Sequence, residues 1–352
     1  MSSPSSKGCV LVTGANGGLG SAIVSHLLGA PDLASGYTGI YTVRKAAGAS
    51  RLQSVLQGAP AAHRHETLEL DLGSLASVRQ TASQINRRVA SGELPRIRAL
   101  ILNAGYQDQT SLAMSDDGFE MTWQVNFLVN FVLSLLLLQS MDEHEGRILI
   151  ISSWAHDIED KRNGMGGNTV YQDPKWPTLF PDVDALAKGR WSTPEDEASW
   201  HSGFRRYGAS KLCAIMLIHE LAARLARDPK LSSIAVIGLD PGGMGSDILR
   251  RGSFFRRFIT MKVTVPLLAA VLVRLSPNAA VRPMWKSAAD VVRACFEIKA
   301  PPSGAGALYL NGTEELETAR DARDADKRRA LWRYGLEAAG IGAEDTALAD
   351  WQ

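Results

Sequence analysis

The sequence predicts a single α/β domain built on a doubly wound parallel sheet of the Rossmann type. Short apolar runs alternate with longer segments of helical spacing, as they do in chains of βαβ units. Most of the runs are continuously apolar, so we expect helices to cover both faces of the sheet. The predicted strands, in order, are CVLVTG, GIYTVR, HETLELDL, RALILNAG, GRILIISS and SIAVIGLDPG. The clearest predicted helices are 21–28, 74–88 and 207–226.

Composition narrows the class of protein. The 352 residues allow one large domain or two small ones, and no Pro- or Gly-rich linker divides them. A formal net charge of +1 argues against a nucleic-acid partner. The three cysteines fit a reducing compartment, and neither they nor the histidines show metal-ligand spacing, so we expect no metal. The N-terminus lacks the apolar core of a signal peptide and no apolar run reaches about 18 residues, which predicts a cytoplasmic protein.

A glycine-rich loop, TGANGGLG, joins the first predicted strand to a predicted helix. Gly14, Gly18 and Gly20 allow a tight turn and let backbone N–H groups approach a pyrophosphate, whose charge the helix N-terminus favours. Taken alone, the pattern also fits a turn that binds nothing. Between a strand and a helix it predicts a dinucleotide loop.

The end of the second predicted strand indicates which dinucleotide the protein binds. A ribose 2′-hydroxyl usually meets an acid at this position, whereas a 2′-phosphate requires a cation. Arg44 and Lys45 stand there, so charge complementarity favours NADP over NAD. The alternative is a solvated basic strand end.

Three polar residues form a candidate catalytic group. Tyr207 and Lys211 are four apart, so on a helix they share one face, where a cation lowers the pKa of the phenol. Ser153, at the end of a predicted strand, is placed to hold a carbonyl oxygen near Tyr207. Together they can deliver a proton to a ketone as hydride arrives from a nicotinamide. Taken alone, the Tyr-x-x-x-Lys spacing also fits an ordinary pair on a helix.

These segments, in this order, resemble the short-chain dehydrogenase/reductase family from Val10 to about Gly252. The resemblance is carried by TGANGGLG, LDL, LNAG, QVNF, ISSW, YGASK and DPGGMGS. Each motif is weak alone, but their ordered coincidence is specific and favours the phosphate-binding interpretation of the glycine loop. The last motif of the family often ends in threonine, where this chain has Ser246.

The resemblance implies a role for each matching residue. Tyr207 would donate the proton, Lys211 would lower its pKa and hold the nicotinamide ribose, and Ser153 would orient the carbonyl. Asn126 would support a water relay, although it also fits a residue that caps a helix kink. Asp71 would contact the adenine amine, although it also fits an acid at a helix N-terminus. The implied cofactor contacts are Thr13, Gly14, Asn16, Gly18, Leu19, Gly20, Arg44, Lys45, Asp71, Leu72, Asn103, Ala104, Gly105, Tyr207, Lys211, Pro241, Gly242, Gly243 and Ser246.

The chain carries more residues between Ser153 and Tyr207 than most of the family. We therefore divide the single domain 1–352 into a mainly cofactor-binding half (7–153), an insert (154–206), a catalytic and substrate-binding half (207–311) and a helical tail (312–352). A loop of this length is usually functional or disordered, and we interpret the insert as the rim of the substrate pocket. The alternative is that its tryptophans only anchor it. The insert contains Trp154, Trp176, Trp191 and Trp200.

A second feature is the apolar segment 262–275, which is too short to cross a bilayer. It fits a membrane-surface anchor, a buried lid over an apolar substrate, or a segment of the hydrophobic core. Together with the insert, it is similar in layout to the 3-ketosteroid reductases of sterol biosynthesis, which act at the endoplasmic reticulum membrane. That similarity implies a bulky apolar substrate such as a sterol, terpenoid or polyketide.

We therefore expect NADPH-dependent reduction of a ketone on such a molecule, or the reverse oxidation of an alcohol. A peripheral membrane contact through 262–275 and a homo-oligomer are both compatible with the sequence. Two other functions also remain: a non-redox isomerase, epimerase or cyclase on the same scaffold, and a nucleotide-binding partner protein without turnover.

Overall fold

The computed structural model describes residues 6–167, 169–244, 269–270, 272–299 and 307–352. Its strands form one eight-stranded sheet of order β3-β2-β1-β4-β5-β6-β7-β8. Neighbouring strands from β3 to β7 are parallel, and β8 pairs antiparallel with β7. The strands are β1 (Gly8–Val12), β2 (Tyr37–Val43), β3 (His65–Glu69), β4 (Ile97–Leu102), β5 (Arg147–Ile151), β6 (Ala235–Asp240), β7 (Leu308–Asn311) and β8 (Glu314–Glu315).

Helices connect the parallel strands and cover both faces of the sheet, which confirms the predicted fold class. Between α5 and α6 the chain passes through a π-helical turn, Gln124–Leu128. The helices are α1 (Gly18–Gly29), α2 (Pro31–Gly36), α3 (Ser50–Gln57), α4 (Leu75–Ala90), α5 (Met121–Trp123), α6 (Val129–Leu137), α7 (Val183–Ala187), α8 (Trp200–Leu225), α9 (Met284–Phe296), α10 (Arg320–Arg323) and α11 (Ala325–Ala339).

Two apolar clusters, one on each side of the sheet, form the core. One packs α4, α6 and α8 against the sheet, and the other packs α1, α3 and α9 against the opposite face. The segment Met121–Ser140 is long and apolar enough to cross a membrane, but 94% of it is buried inside the domain. Its apolar composition is therefore accounted for by packing in the core.

The six predicted strands are confirmed as β1 to β6, whereas β7 and β8 were not predicted. The tail departs from the predicted helix at its start, because Glu314–Glu315 forms β8. Its later part is helical, and Leu331 and Trp332 are buried against the body. The predicted insert also ends earlier than expected, because α8 begins at Trp200.

The order of the strands determines where a site can form. Strands β2 and β3 lie on one side of β1, whereas β4 to β8 lie on its other side. The loops after β1 and β4 therefore diverge, which leaves a crevice at their carboxyl ends.

Candidate functional site

A cleft of about 1500 Å³ opens at this crevice. It is lined by the loops that follow β1, β2, β4, β5 and β6 and by one face of α8. Ligand pockets for single small molecules usually have about 300–1,000 Å³. The cleft therefore has room for a dinucleotide and a bulky second molecule together.

The glycine loop forms one end of the cleft, through Gly14 and Gly17 to Gly20. Gly14 has φ +64°, a conformation that side chains disfavour. A Cβ on Gly20 would lie 2.3 Å from the Gly14 carbonyl oxygen, so glycine lets α1 begin directly against the loop. Asn16 ties the loop to α3, because its Oδ1 accepts a hydrogen bond from the Leu52 N–H at 3.0 Å.

Two residues beside the glycine loop that were predicted to contact the cofactor, Asn103 and Thr13, differ in whether they line the cleft. Asn103 lines the cleft together with Ala104 and Gly105. Thr13 does not line it. The Thr13 hydroxyl is buried and accepts hydrogen bonds from the N–H groups of Asn103 (3.0 Å) and Ala104 (3.1 Å). Thr13 thus joins the ends of β1 and β4 and acts on the cleft only through them.

A basic rim lies beyond the glycine loop. Arg44 lines the cleft, as do Ser50 and Arg51 at the start of α3, which the sequence analysis missed. Lys45 and Asp71 do not line it, although Leu70 and Leu72 on either side of Asp71 do. The Asp71 carboxylate accepts a hydrogen bond from the Gly73 N–H and lies 3.8 Å from Arg44 Nε. The structure therefore places Asp71 as a turn-forming acid beside the basic rim.

Ser153, Tyr207 and Lys211, the three residues proposed as a catalytic group, all line this cleft. Ser153 precedes a short 3₁₀ turn, Trp154–His156, and its hydroxyl accepts a hydrogen bond from the Ala155 N–H of that turn at 3.2 Å. Lys211 lies one turn after Tyr207 along α8. Lys211 Nζ lies 5.7 Å from the centroid of the Tyr207 ring and donates a hydrogen bond to the Ile151 carbonyl at 2.9 Å.

Burial dominates the protonation of this group. It raises the pKa of Tyr207; the hydrogen bond from Ser153 lowers it, and the charge of Asp240 raises it further. Burial lowers the pKa of Lys211 to about 8, against the opposing effect of Asp240. Contrary to expectation, these residues alone do not lower the pKa of Tyr207, because the loss of hydration disfavours the phenolate and the Lys211 ammonium is bonded elsewhere.

Asn126, which the resemblance implies as a support for a water relay, lies behind the wall of the cleft. It is fully buried in the π-helical turn and does not line the cleft. Its side chain accepts a hydrogen bond from the Tyr106 N–H at 2.8 Å and donates one to the Tyr106 carbonyl at 2.9 Å. It also donates to the Ser210 hydroxyl on α8. The backbone carbonyl of Asn126 accepts a hydrogen bond from Asn130 Nδ2 at 2.8 Å.

The tryptophans of the insert divide into two groups. Trp154 and Trp200 line the cleft, where Trp200 packs edge-on against Phe204 at 5.6 Å. Trp176 and Trp191 pack against each other outside the cleft, at 5.6 Å. The first pair therefore belongs to the wall of the cleft, whereas the second pair packs the insert away from it.

The Pro–Gly loop after β6 forms a further wall of the cleft. Pro241, Gly242 and Gly243 all line the cleft, and Gly242 has φ +79°. The predicted contact at Ser246 and most of the segment 262–275 lie outside the described residues.

Comparison with known proteins agrees with this geometry. The family model for short chain dehydrogenases matches residues 8–171. Short-chain dehydrogenase iccH of Talaromyces variabilis is 45% identical over 363 residues, which cover 98% of this chain and 99% of that protein. Human retinol dehydrogenase 13 is 27% identical over 335 residues, covering 95% of this chain and 85% of that one.

A similar fold occurs in the crystal structure of NADPH-bound carbonyl reductase from chicken fatty liver. The TM-score is 0.58 at 18% identity, over 89% of this chain and 99% of that chain. The full-length likeness at 45% identity identifies the family. The chain belongs to the short-chain dehydrogenase family of oxidoreductases.

Proposed function

We propose that the protein uses NADP(H) to reduce a ketone on a bulky, apolar, ring-containing molecule, or to oxidise the corresponding alcohol. One observation carries the proposal: Ser153, Tyr207 and Lys211 line one cleft together with the glycine loop, two arginines of the basic rim and the aromatic rings of Trp154, Trp200 and Phe204. The glycines and arginines suit a phosphorylated dinucleotide, and the aromatic rings suit an apolar substrate.

The residues present fit the cofactor. The glycine loop leaves backbone N–H groups free of side chains where a pyrophosphate would approach, at the start of α1. Arg44 and Arg51 supply the positive charge that a 2′-phosphate requires. Lys211 would hold the nicotinamide ribose, while Asn103 to Gly105 and Pro241 to Gly243 would bound the nicotinamide on either side.

Reduced nicotinamide, when bound, supplies the hydride that goes to the carbonyl carbon. The Ser153 hydroxyl orients the carbonyl oxygen, and Tyr207 donates its proton to that oxygen as negative charge develops there. The raised pKa of Tyr207 keeps the phenol protonated and able to donate at neutral pH. In the oxidation direction the same groups act in reverse, and Tyr207 accepts the proton of the alcohol.

Three aromatic side chains support an apolar, ring-bearing substrate. Trp154, Trp200 and Phe204 line the cleft beside Tyr207, and the Phe204 and Tyr207 rings are 6.3 Å apart. Aromatic surfaces of this kind stack on flat or fused rings. The name of the relative retinol dehydrogenase 13 points to an apolar alcohol as well.

The test follows NADPH absorbance and product formation with a panel of sterol, terpenoid and polyketide ketones. We expect NADPH consumption matched by an alcohol, abolished in Tyr207→Phe and kept in Tyr37→Phe. Tyr37 packs on Phe296, does not line the cleft and controls for the loss of a hydroxyl. A substrate converted without change in absorbance would replace the proposal with a non-redox reaction, and failure to bind NADPH would overturn it.

A further inference from the structure

His156 is a buried histidine that lies three residues after Ser153 and has no part in the reaction proposed above. It is 3% exposed, and its ring packs edge-on against that of Tyr309, with 5.1 Å between the centroids. His156 Nδ1 lies 2.7 Å from the Ser153 carbonyl oxygen, and Nε2 lies 3.2 Å from the Ala319 backbone nitrogen. One buried ring therefore connects Ser153 to the residue that precedes α10.

The two partners determine which nitrogen of His156 carries the proton. A carbonyl oxygen only accepts hydrogen bonds, so Nδ1–H donates to Ser153. A backbone N–H only donates, so Nε2 accepts from Ala319. Burial lowers the pKa of His156, which favours the neutral ring that this arrangement requires. The bond from Ala319 thus holds the imidazole in the form that donates to Ser153.

The turn that His156 ends is packed directly against the helix that carries Tyr207. The Tyr171 hydroxyl donates a hydrogen bond to the Ala155 carbonyl oxygen at 2.9 Å. A Cβ on Gly208 would lie 2.6 Å from the same oxygen, so α8 touches the turn one residue after Tyr207. The backbone position of Ser153 in this turn therefore sets where its hydroxyl lies relative to Tyr207.

A second histidine, His219, ties the tail to the body without the bond to Ser153. His219 Nε2 lies 2.8 Å from the Thr318 hydroxyl oxygen, so it binds the residue next to Ala319. It lies on α8, about three turns after Tyr207. Among the described residues, only His156 bonds both the tail and Ser153. The two histidines thus allow attachment of the tail to be separated from placement of the serine.

We propose that His156 is a positioning residue for the reaction: its hydrogen bond to the Ser153 carbonyl places the serine hydroxyl where it meets the substrate carbonyl. The inference rests on the proposed function, because that function assigns the substrate carbonyl to Ser153. The effect on rate follows from geometry, since a misplacement of about 1 Å can lower a rate by about 100-fold. His156 itself touches neither substrate nor cofactor in this account.

The test compares three replacements of His156, with turnover of a ketone by NADPH as the readout. Asparagine carries an amide N–H at the δ position and can keep the bond to Ser153. Glutamine carries its amide at the ε position and can keep only the bond to Ala319, and leucine keeps neither. His156→Leu and His156→Gln should lower kcat by at least about tenfold with a smaller change in KM, because the serine acts as charge develops on the oxygen. His156→Asn should restore most of kcat.

His219→Leu is the matched control, because it removes the neighbouring bond to the tail and leaves Ser153 untouched. Both leucine variants should lower the melting temperature, whereas only His156→Leu should lower kcat. An equal fall of kcat in the two leucine variants would mean that His156 acts only by attaching the tail. A kcat in His156→Asn no higher than in His156→Leu would overturn the proposal as well.

Hydrogen exchange separates this proposal from the proposed function, because it needs no substrate. The Ala155 N–H is bonded to the Ser153 hydroxyl and the His156 N–H to the Ser153 carbonyl. Mass spectrometry of peptides that cover 152–157 should show faster exchange in His156→Leu and His156→Gln than in His156→Asn and His219→Leu. That pattern without turnover of any ketone would support the placement of Ser153 and contradict the proposed function. Unchanged exchange in His156→Leu would overturn the inference whether or not a ketone is reduced.

Discussion

The guanidinium of Arg162 lies 3.0 Å from the carboxylate of Asp240 and joins the insert to the end of β6. Asp240 is 1% exposed, and its other oxygen accepts a hydrogen bond from the Gly242 N–H at 2.9 Å. Arg162 also lies over the Trp154 ring at 5.1 Å and pairs with Asp160. One side chain therefore fixes the insert, the aromatic wall of the cleft and the Pro–Gly loop relative to one another.

Arg162→Met should destabilise the protein by about 3 kcal/mol, because it leaves the Asp240 carboxylate buried without its cation. Adding Asp240→Asn to the same chain should recover part of the loss, because the uncompensated charge is removed. The measurement is urea unfolding of the three proteins. Arg190→Met breaks the exposed pair with Asp184 and should cost less than about 1 kcal/mol. Equal losses in the two arginine variants would contradict the argument.

Gly20→Ala should destabilise the protein by about 1–3 kcal/mol and greatly weaken dinucleotide binding. The new methyl group would lie 2.3 Å from the Gly14 carbonyl oxygen and 2.9 Å from Asn103 Nδ2, so α1 would have to move away from the loop. Gly29→Ala, in the same helix, meets nothing within 4 Å and is the matched control. Unfolding and titration with NADPH check both variants, and normal NADPH binding by Gly20→Ala would show that this close approach is not needed.

The sequence predicts the central strands β1, β4, β5 and β6 well, because they are buried and mostly apolar and each carries a recognisable segment at its carboxyl end. Ser153 and Tyr207 are correctly brought together although they are 54 residues apart. The start of α8 is missed, because WHSGFRR is polar and gives no helical apolar pattern. Yet Arg205 and Arg206 in this segment are buried and bonded within the insert, so tertiary contacts make it helical.

Other features depend on proximity in space and leave no local signal. Nothing near Arg162 in the sequence indicates that its partner is Asp240, 78 residues later. The lack of a hydrogen-bond partner for Gln107 Nε2 and Gln109 Oε1 among the described residues is likewise invisible without the surrounding packing. The short strand β7 has only four residues, and its register beside β6 is set by tertiary pairing.

Arg44→Ala and Arg51→Ala should each raise the Kd for NADPH by about 10- to 100-fold, as expected for the loss of one charge-assisted hydrogen bond. The Kd for NADH should change little, because NADH has no 2′-phosphate. Isothermal titration with both dinucleotides measures the difference. Arg87→Ala, at an exposed position of α4, controls for the loss of one positive charge. Equal weakening of NADPH and NADH binding would mean that neither arginine reads the 2′-phosphate.

Lys211→Met should abolish turnover and yet stabilise the fold at pH 7. The gain in the free energy of unfolding is up to about 3 kcal/mol. It is reduced by the free energy of the lost hydrogen bond to the Ile151 carbonyl. The reason is that burial lowers the pKa of Lys211 from 10.5 to about 8, which means that the charged form of Lys211 destabilises the folded state. Below about pH 8 both states hold the proton and the full penalty applies.

Between pH 8 and 10.5 the unfolded chain binds more protons at this residue than the folded protein does, so the stability of the unaltered protein rises with pH. The advantage of Lys211→Met should therefore shrink over this range and vanish near its upper end. Unfolding at pH 7, 8.5 and 10 follows the change. Lys230→Met, at an exposed position, should show no such trend. An advantage that grows with pH, or a loss of stability at pH 7, would mean that the Lys211 ammonium is stabilised in the fold by more than its burial costs.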